Sequence, residues 1–170
     1  MLTVIGDDRS GLVEALANVV TAHGGNWERS QLTELAGKFA GIVVVSVPAD
    51  RVDELTASLH ELDGLLEVSA HPGAAAPTVL PTQAQHTLSI DLVGNDHPGI
   101  VHDISAVLAR HGLSIVTIET TTREAPMAGG LLFEAHVVVR LPRSAEVAQV
   151  RSDLERLASE LLVDLDVSEL

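Results

Sequence analysis

Val93-Gly94-Asn95-Asp96-His97-Pro98-Gly99-Ile100-Val101 follows an alternating apolar segment, Thr87-Leu88-Ser89-Ile90-Asp91-Leu92. Alternation predicts a strand, and Ile100, Val101, Ile104, Val107 and Leu108 recur at helical spacing, so the stretch reads as a strand-to-helix turn. A second copy stands at the start of the chain: Ile5-Gly6-Asp7-Asp8-Arg9-Ser10-Gly11-Leu12-Val13. Gly6, Asp8 and Gly11 match Gly94, Asp96 and Gly99, each at 94 − 6 = 88 residues. Two copies of one turn, half a chain apart, make the chain a duplication before it is anything else.

Outward from the turns, the two halves follow one order. In the first, Leu2 to Ile5 predicts a strand, and Leu12, Val13, Leu16, Val19 and Val20 a helix stopped by Gly24. Strands are expected over Trp27 to Leu35 and Phe39 to Val47, joined by a tight turn at Ala36-Gly37-Lys38. Val52, Leu55, Leu59 and Leu62 form a second helical stripe, Gly64 stops it, and Leu65 to Ala70 returns as a strand. The second half gives strands at Thr87 to Val93, Leu113 to Thr122, Leu132 to Leu141 and Leu162 to Val167. Its second helix carries Val147, Val150, Leu154 and Leu157.

Phe39 matches Phe133, and Pro48 matches Pro142, at an offset of 133 − 39 = 94. About six extra residues therefore lie between the middle strands of the second half, within Arg123 to Gly130. Between the halves, His71 to Gln85 holds Pro72, Pro77 and Pro81 and reads as a linker. The expected division is a first domain at 1–71, a linker at 72–85 and a second domain at 86–170. A β-α-β-β-α-β unit of this size folds most simply as an antiparallel sheet with both helices on one face. The fold class is α+β: two tandem ferredoxin-like units. The middle strands are apolar on successive residues, so the other sheet face calls for a cover, a second copy or a second chain.

Composition excludes several classes. The chain has 10 Lys and Arg against 24 Asp and Glu, a formal charge of −14, with no basic cluster. Such a surface repels a phosphate backbone, which excludes direct nucleic-acid binding, and disfavours anionic membranes. The longest near-apolar run, Ile42 to Val47, is too short to span a bilayer, and no signal-peptide pattern opens the sequence. The absence of Cys excludes disulfides, thiolate metal sites and cysteine nucleophiles, and fits a cytoplasmic location.

Two readings of the turn stay open. In one, it binds a zwitterion: Gly94 and Gly99 let backbone approach a ligand, the helix start offers N–H groups to a carboxylate, and Asp96 accepts from an ammonium. The candidate residues are Gly94, Asn95, Asp96, His97, Pro98, Gly99 and Ile100, with Asp7, Asp8, Gly11 and Leu12 in the first copy. The second copy is favoured, because a ligand at Asp7 and Asp8 meets two carboxylates, which suit a cation. In the other reading, Asp96 or Asp8 caps its helix, Ser10 is a cap, Pro98 sits in the first turn and the glycines only shape the bend.

Of eight His residues, His97 and His102 flank the turn at a spacing that is not diagnostic of a metal site. His23 and His111 share one slot before a helix-stopping glycine, where a dipole or carbonyl contact explains them. No P-loop, Gly-x-Ser-x-Gly elbow, dinucleotide fingerprint or zincin pair occurs, so neither a catalytic residue nor a cofactor is expected. Trp27 lies on a strand and reads as core or interface.

The doubled unit and its Gly-x-Asp-x-x-Gly turn resemble tandem ACT domains, the amino-acid-sensing regulatory modules. Asp96-His97-Pro98-Gly99-Ile100-Val101 and Asp8-Arg9-Ser10-Gly11-Leu12-Val13, with the long second-half loop, resemble the glycine cleavage system transcriptional repressor family, Ser10 standing where that family's turn has Pro. The resemblance implies a non-catalytic, oligomeric regulator of transcription. It implies a small amino acid as ligand, glycine or serine, and action through a protein partner such as a transcription activator. Two other expectations are a ligand-independent interaction module and a regulatory subunit of an amino-acid-metabolising enzyme.

Overall fold

The computed structural model of the chain describes residues 1–71, 73, 86–125, 129–142 and 146–169. Apart from Gly73, the expected linker at 72–85 lies outside the described residues, as do positions 126–128 of the long loop. The chain divides into two units, Met1–Leu80 and Pro81–Leu170, each taken by itself.

The first unit runs β1 (Leu2–Asp7), α1 (Leu12–Ala22), β2 (Asn26–Leu35), β3 (Lys38–Ser46), α2 (Val52–Leu59) and β4 (Glu67–Ala70). The second runs β5 (Thr87–Asn95), α3 (Ile100–Arg110), β6 (Ser114–Glu124), β7 (Leu131–Arg140), α4 (Val147–Leu161) and β8 (Val163–Glu169). The sheets are ordered β2-β3-β1-β4 and β6-β7-β5-β8, with antiparallel neighbours throughout. This is the ferredoxin-like split βαβ arrangement, twice. The duplication extends to register: Leu2 faces Val43 as Ile90 faces Val137. It extends to a bulge, which falls between Trp27 and Arg29 in β2 and between Ile115 and Thr117 in β6.

Strand alternation places one face of each sheet in a core. Leu2 and Val4 of β1 are buried with Leu12, Leu16 and Val20 of α1, Val43 of β3, and Leu55 and Leu59 of α2. Leu88, Ile90 and Leu92 of β5 are buried with Ile104 and Leu108 of α3, Val137 and Val139 of β7, and Val150 and Leu154 of α4. The intervening residues face away from the helices, and Ile5 and Ile42 stand about half exposed there. Val13 and Val101, counted in the helical stripes, are instead nearly half exposed, because each stripe is narrower than its run of apolar residues.

Strand and helix ends move from their expected places by one or two residues, as terminal residues do. Two shifts have specific causes. Leu65 and Leu66 donate back to the Leu62 carbonyl at 2.8 Å, so β4 starts only at Glu67. Leu162, expected in the last strand, terminates α4 in the left-handed conformation at φ 56° with its side chain 83% exposed. The described ends of the longer hairpin also differ from those of the first. β2 and β3 are joined by Ala36 and Gly37, both at positive φ, the pattern of a tight hairpin. β6 and β7 add one rung, Glu124 opposite Leu131, and then a wider connection in which the Ala125 N–H donates to the Gly130 carbonyl at 3.0 Å.

Candidate functional site

The strand runs further into each turn than alternation suggests, through Gly6 to Asp7 and through Gly94 to Asn95. The first glycine of each copy is required by packing. A Cβ on Gly94 would collide with the side chain of Val163 in β8, lying 2.8 Å from its Cβ. A Cβ on Gly6 would stand 2.6 Å from the Leu65 carbonyl oxygen. Packing against the neighbouring strand therefore accounts for Gly94 without a ligand.

Past the strand, the turn is held by the hairpin of the middle strands. The Asp96 N–H donates to the Leu131 carbonyl at 2.8 Å, and the Asp8 N–H donates to the Gly37 carbonyl at 2.9 Å. Each helix then starts at a glycine: Gly11 at φ 92° and Gly99 at φ 104° hold the N-cap position in the left-handed region. The first helical bonds run from Ala15 N–H to the Gly11 carbonyl and from Asp103 N–H to the Gly99 carbonyl, both at 2.9 Å. Neither helix has a side-chain capping bond.

This corrects the capping assignments for Asp8, Ser10 and Asp96. The capping position belongs to a residue with no side chain, and Pro98 precedes it instead of entering the first turn. The first-turn amides of α3, at Ile100, Val101 and His102, face the end where the helix dipole is positive, with no side chain placed on them as a cap. Asn95, Asp96, Pro98 and Gly99 are exposed around that end, and Gly94 and His97 are half-buried. The His97 ring donates through Nδ1 to the Pro98 carbonyl at 3.2 Å. Ile100 and Leu12, each 2% exposed, send their side chains into the cores and have only backbone to offer at the turn.

The first copy is more occupied. Lys38, from the hairpin tip, pairs with Asp7 and holds its carboxyl below the usual carboxylate range. Arg9 donates to the Gly64 carbonyl at 2.7 Å and ties the turn to the segment before β4. Neither contact was read from the sequence, although Lys38 directly after the Gly37 turn was a signal for the first. Asp7 and Asp8 thus do not form the open dicarboxylate that would favour a cation. Position 95 in the second copy is Asn, so it has no charge to pair.

Beside the second turn the hairpin tip forms a shallow depression of about 400 Å³, lined by Glu124, Ala125, Gly129, Gly130 and Leu131. Leu131 is the residue whose carbonyl receives the Asp96 N–H. Of the two paired histidines, His23 reaches the Val19 carbonyl at 2.8 Å and Ser58 Oγ of α2 at 3.2 Å. His111 instead places Nε2 2.8 Å from Asp153 Oδ2 of α4, a bridge between helices in place of the expected carbonyl contact. Among the described residues no three His, Asp or Glu side chains are grouped to hold a metal ion. No described helix is long and apolar enough to cross a membrane.

The family model for the ACT domain matches residues 1–71 and again residues 86–168. The chain belongs to the ACT domain family. Along its length it is also similar to the glycine cleavage system transcriptional repressor of Escherichia coli strain K12, at 24% identity over 165 residues, which is 95% of this chain and 84% of that one. Among solved structures it is similar to an unknown protein from Galdieria sulphuraria, at TM-score 0.83 and 30% identity, over 99% of this chain and 96% of the other. A structure provisionally assigned as a glycine cleavage system transcriptional repressor shares the fold, at TM-score 0.73 and 14% identity, over 99% of this chain and 95% of the other.

Proposed function

We propose that this ACT protein is a non-catalytic regulator that senses a small α-amino acid and acts on transcription through a protein partner. The observation that carries the reading is the uncapped, glycine-led start of α3 beside the exposed Asp96. An amino acid's carboxylate fits the amides of that helix end, and its ammonium fits the Asp96 carboxylate. The site comprises Gly94, Asn95, Asp96, His97, Pro98, Gly99 and Ile100, of which Gly94 and Ile100 supply shape and backbone. The equivalent set Asp7, Asp8, Gly11 and Leu12 is the weaker one, since Asp7 is paired with Lys38 and Arg9 is spent on Gly64.

Glycine or serine is the proposed ligand, by similarity to the glycine cleavage repressor. The same similarity supports a cytoplasmic regulator of transcription, and a transcription activator as its partner and a homo-oligomeric state belong to the same proposal. The proposed division remains 1–71, 72–85 and 86–170. The packing role of Gly6 and Gly94 supports a second reading, an interaction module or enzyme regulatory subunit whose turns bind nothing. A calorimetric screen of the twenty amino acids against the full chain separates the two. Saturable binding of one or two small amino acids supports sensing, and no heat from any of them supports the module. Gly99 is not the residue to mutate first, because any side chain at φ 104° strains the helix start as well as the site.

A further inference from the structure

On the second sheet, the face away from the helices carries one rung on which all four strands present an ionisable side chain. Register aligns Glu119 of β6 with His136 of β7, His136 with Asp91 of β5, and Asp91 with Asp166 of β8. Directly opposite residues share a face and interact. His136 Nδ1 stands 2.6 Å from Asp91 Oδ1. In the first sheet the matching rung is Gln31, Ile42, Thr3 and Ser69, none of them ionisable. The scaffold is duplicated, so the difference between the rungs is one of charge.

With a neutral imidazole the rung holds three carboxylates and no cation, and Asp91 directly faces Asp166, a destabilising arrangement. The rung on one side cannot help: Glu134 is committed to Arg123 at 2.6 Å, and Asp164 adds another carboxylate opposite Val93. On the other side stand Ser168, Ser89, Val138 and Thr117, without charge. The proton of His136 is the counter-charge available within the rung.

We propose that His136 makes the second domain proton-sensitive: its protonation clamps β7 to β5 and tightens the second sheet on mild acidification, while the first sheet does not respond. The hydrogen bond to Asp91 holds the imidazole above the usual histidine range; partial burial opposes this, and the charges of Asp91 and Glu119 reinforce it. A raised folded-state pKa contributes stability that is fully present below the unfolded value and is lost as pH rises through the folded one. The side chains of His136 and Asp91 are 47% and 51% exposed, so water and salt screen the effect. In the first domain the matching rung carries no imidazole and no carboxylate.

The test uses the full chain at low salt. Histidine Cε1–H resonances are titrated by NMR, and amide exchange, corrected for its intrinsic pH dependence, is compared at about pH 8 and about pH 6. His136 titrates above the ordinary histidine range and returns to it in Asp91→Asn. Protection of β5 and β7 rises several-fold toward pH 6 in the wild type and stays flat in His136→Gln, while β1 and β3 stay flat in both. Titration of His136 in the ordinary range, an equal response in His136→Gln, or an equal response in the first sheet each overturns the proposal.

Discussion

An alanine at position 94 would press its Cβ against Val163, a branched, 9% exposed residue whose Cβ and Cα would lie 2.8 Å and 3.0 Å away. Gly94→Ala is expected to destabilise the second domain by about 1–3 kcal/mol in denaturant unfolding. A cost near zero would mean that the sheet accommodates it and that Gly94 is kept for something outside the fold. Leu162 is the opposite case. It holds φ 56°, a conformation that costs a residue with a Cβ about 1–2 kcal/mol, while its side chain is 83% exposed and little burial is at stake. Leu162→Gly is therefore expected to stabilise the chain by about 1 kcal/mol in the same measurement. At this scale the sequence was only partly legible. Gly94 and Gly99 look alike in it, yet one is small because a strand is close and the other because φ is positive. Nothing local marks Leu162 as a cap, since leucine belongs equally to a helix end or a strand start.

Between elements, the two histidines before Gly24 and Gly112 do one job with different partners. His23 meets Ser58, and His111 meets Asp153, which also pairs with Arg156 at 3.3 Å. The His111 hydrogen bond, and then Arg156, hold the Asp153 carboxyl below the usual range. A depressed folded-state pKa contributes stability that is present above the unfolded value, about 3.9, and is lost as pH falls through the folded one. Asp153→Asn is thus expected to move acid unfolding of α3 and α4 to higher pH, followed by amide exchange of those helices. Trp27, the one tryptophan, sits on β2 and reports the first domain in the same experiment. An unchanged acid limb in the variant would remove the pair from the account. The existence and order of the elements were legible because periodicity changes from 2 to 3.6 at each turn. The partners of His23 and His111 were not, because they lie 35 and 42 residues away and depend on how the helices pack.

For the whole molecule, duplication was the most legible property. One offset covers the first strand, turn, helix and second strand of each half, and the third strands stand six residues further apart, so the extra rung and loop of the second hairpin were visible as a number before they had a shape. Charge was equally direct. With a formal charge of −14, the purified chain is expected to give no shift of promoter DNA at about 100 mM salt, even at micromolar protein. A submicromolar shift that weakens steeply with salt would contradict action through a partner. Ligand identity was not legible at all. A glycine-led helix start specifies an anion's place and says little about what is attached to it.

The central claim is that an amino acid binds at the second turn more tightly than at the first. Calorimetric titration of the wild type, Asp96→Ala and Asp8→Ala with the tightest-binding amino acid tests it directly. Neither aspartate caps its helix, so both variants are expected to fold with nearly wild-type stability. Asp96→Ala is expected to weaken binding by about 1.5–3 kcal/mol, the range for a hydrogen bond to a charged group, and Asp8→Ala to leave it close to the wild type. Equal affinities in all three folded proteins would contradict the claim and place any ligand elsewhere on the molecule.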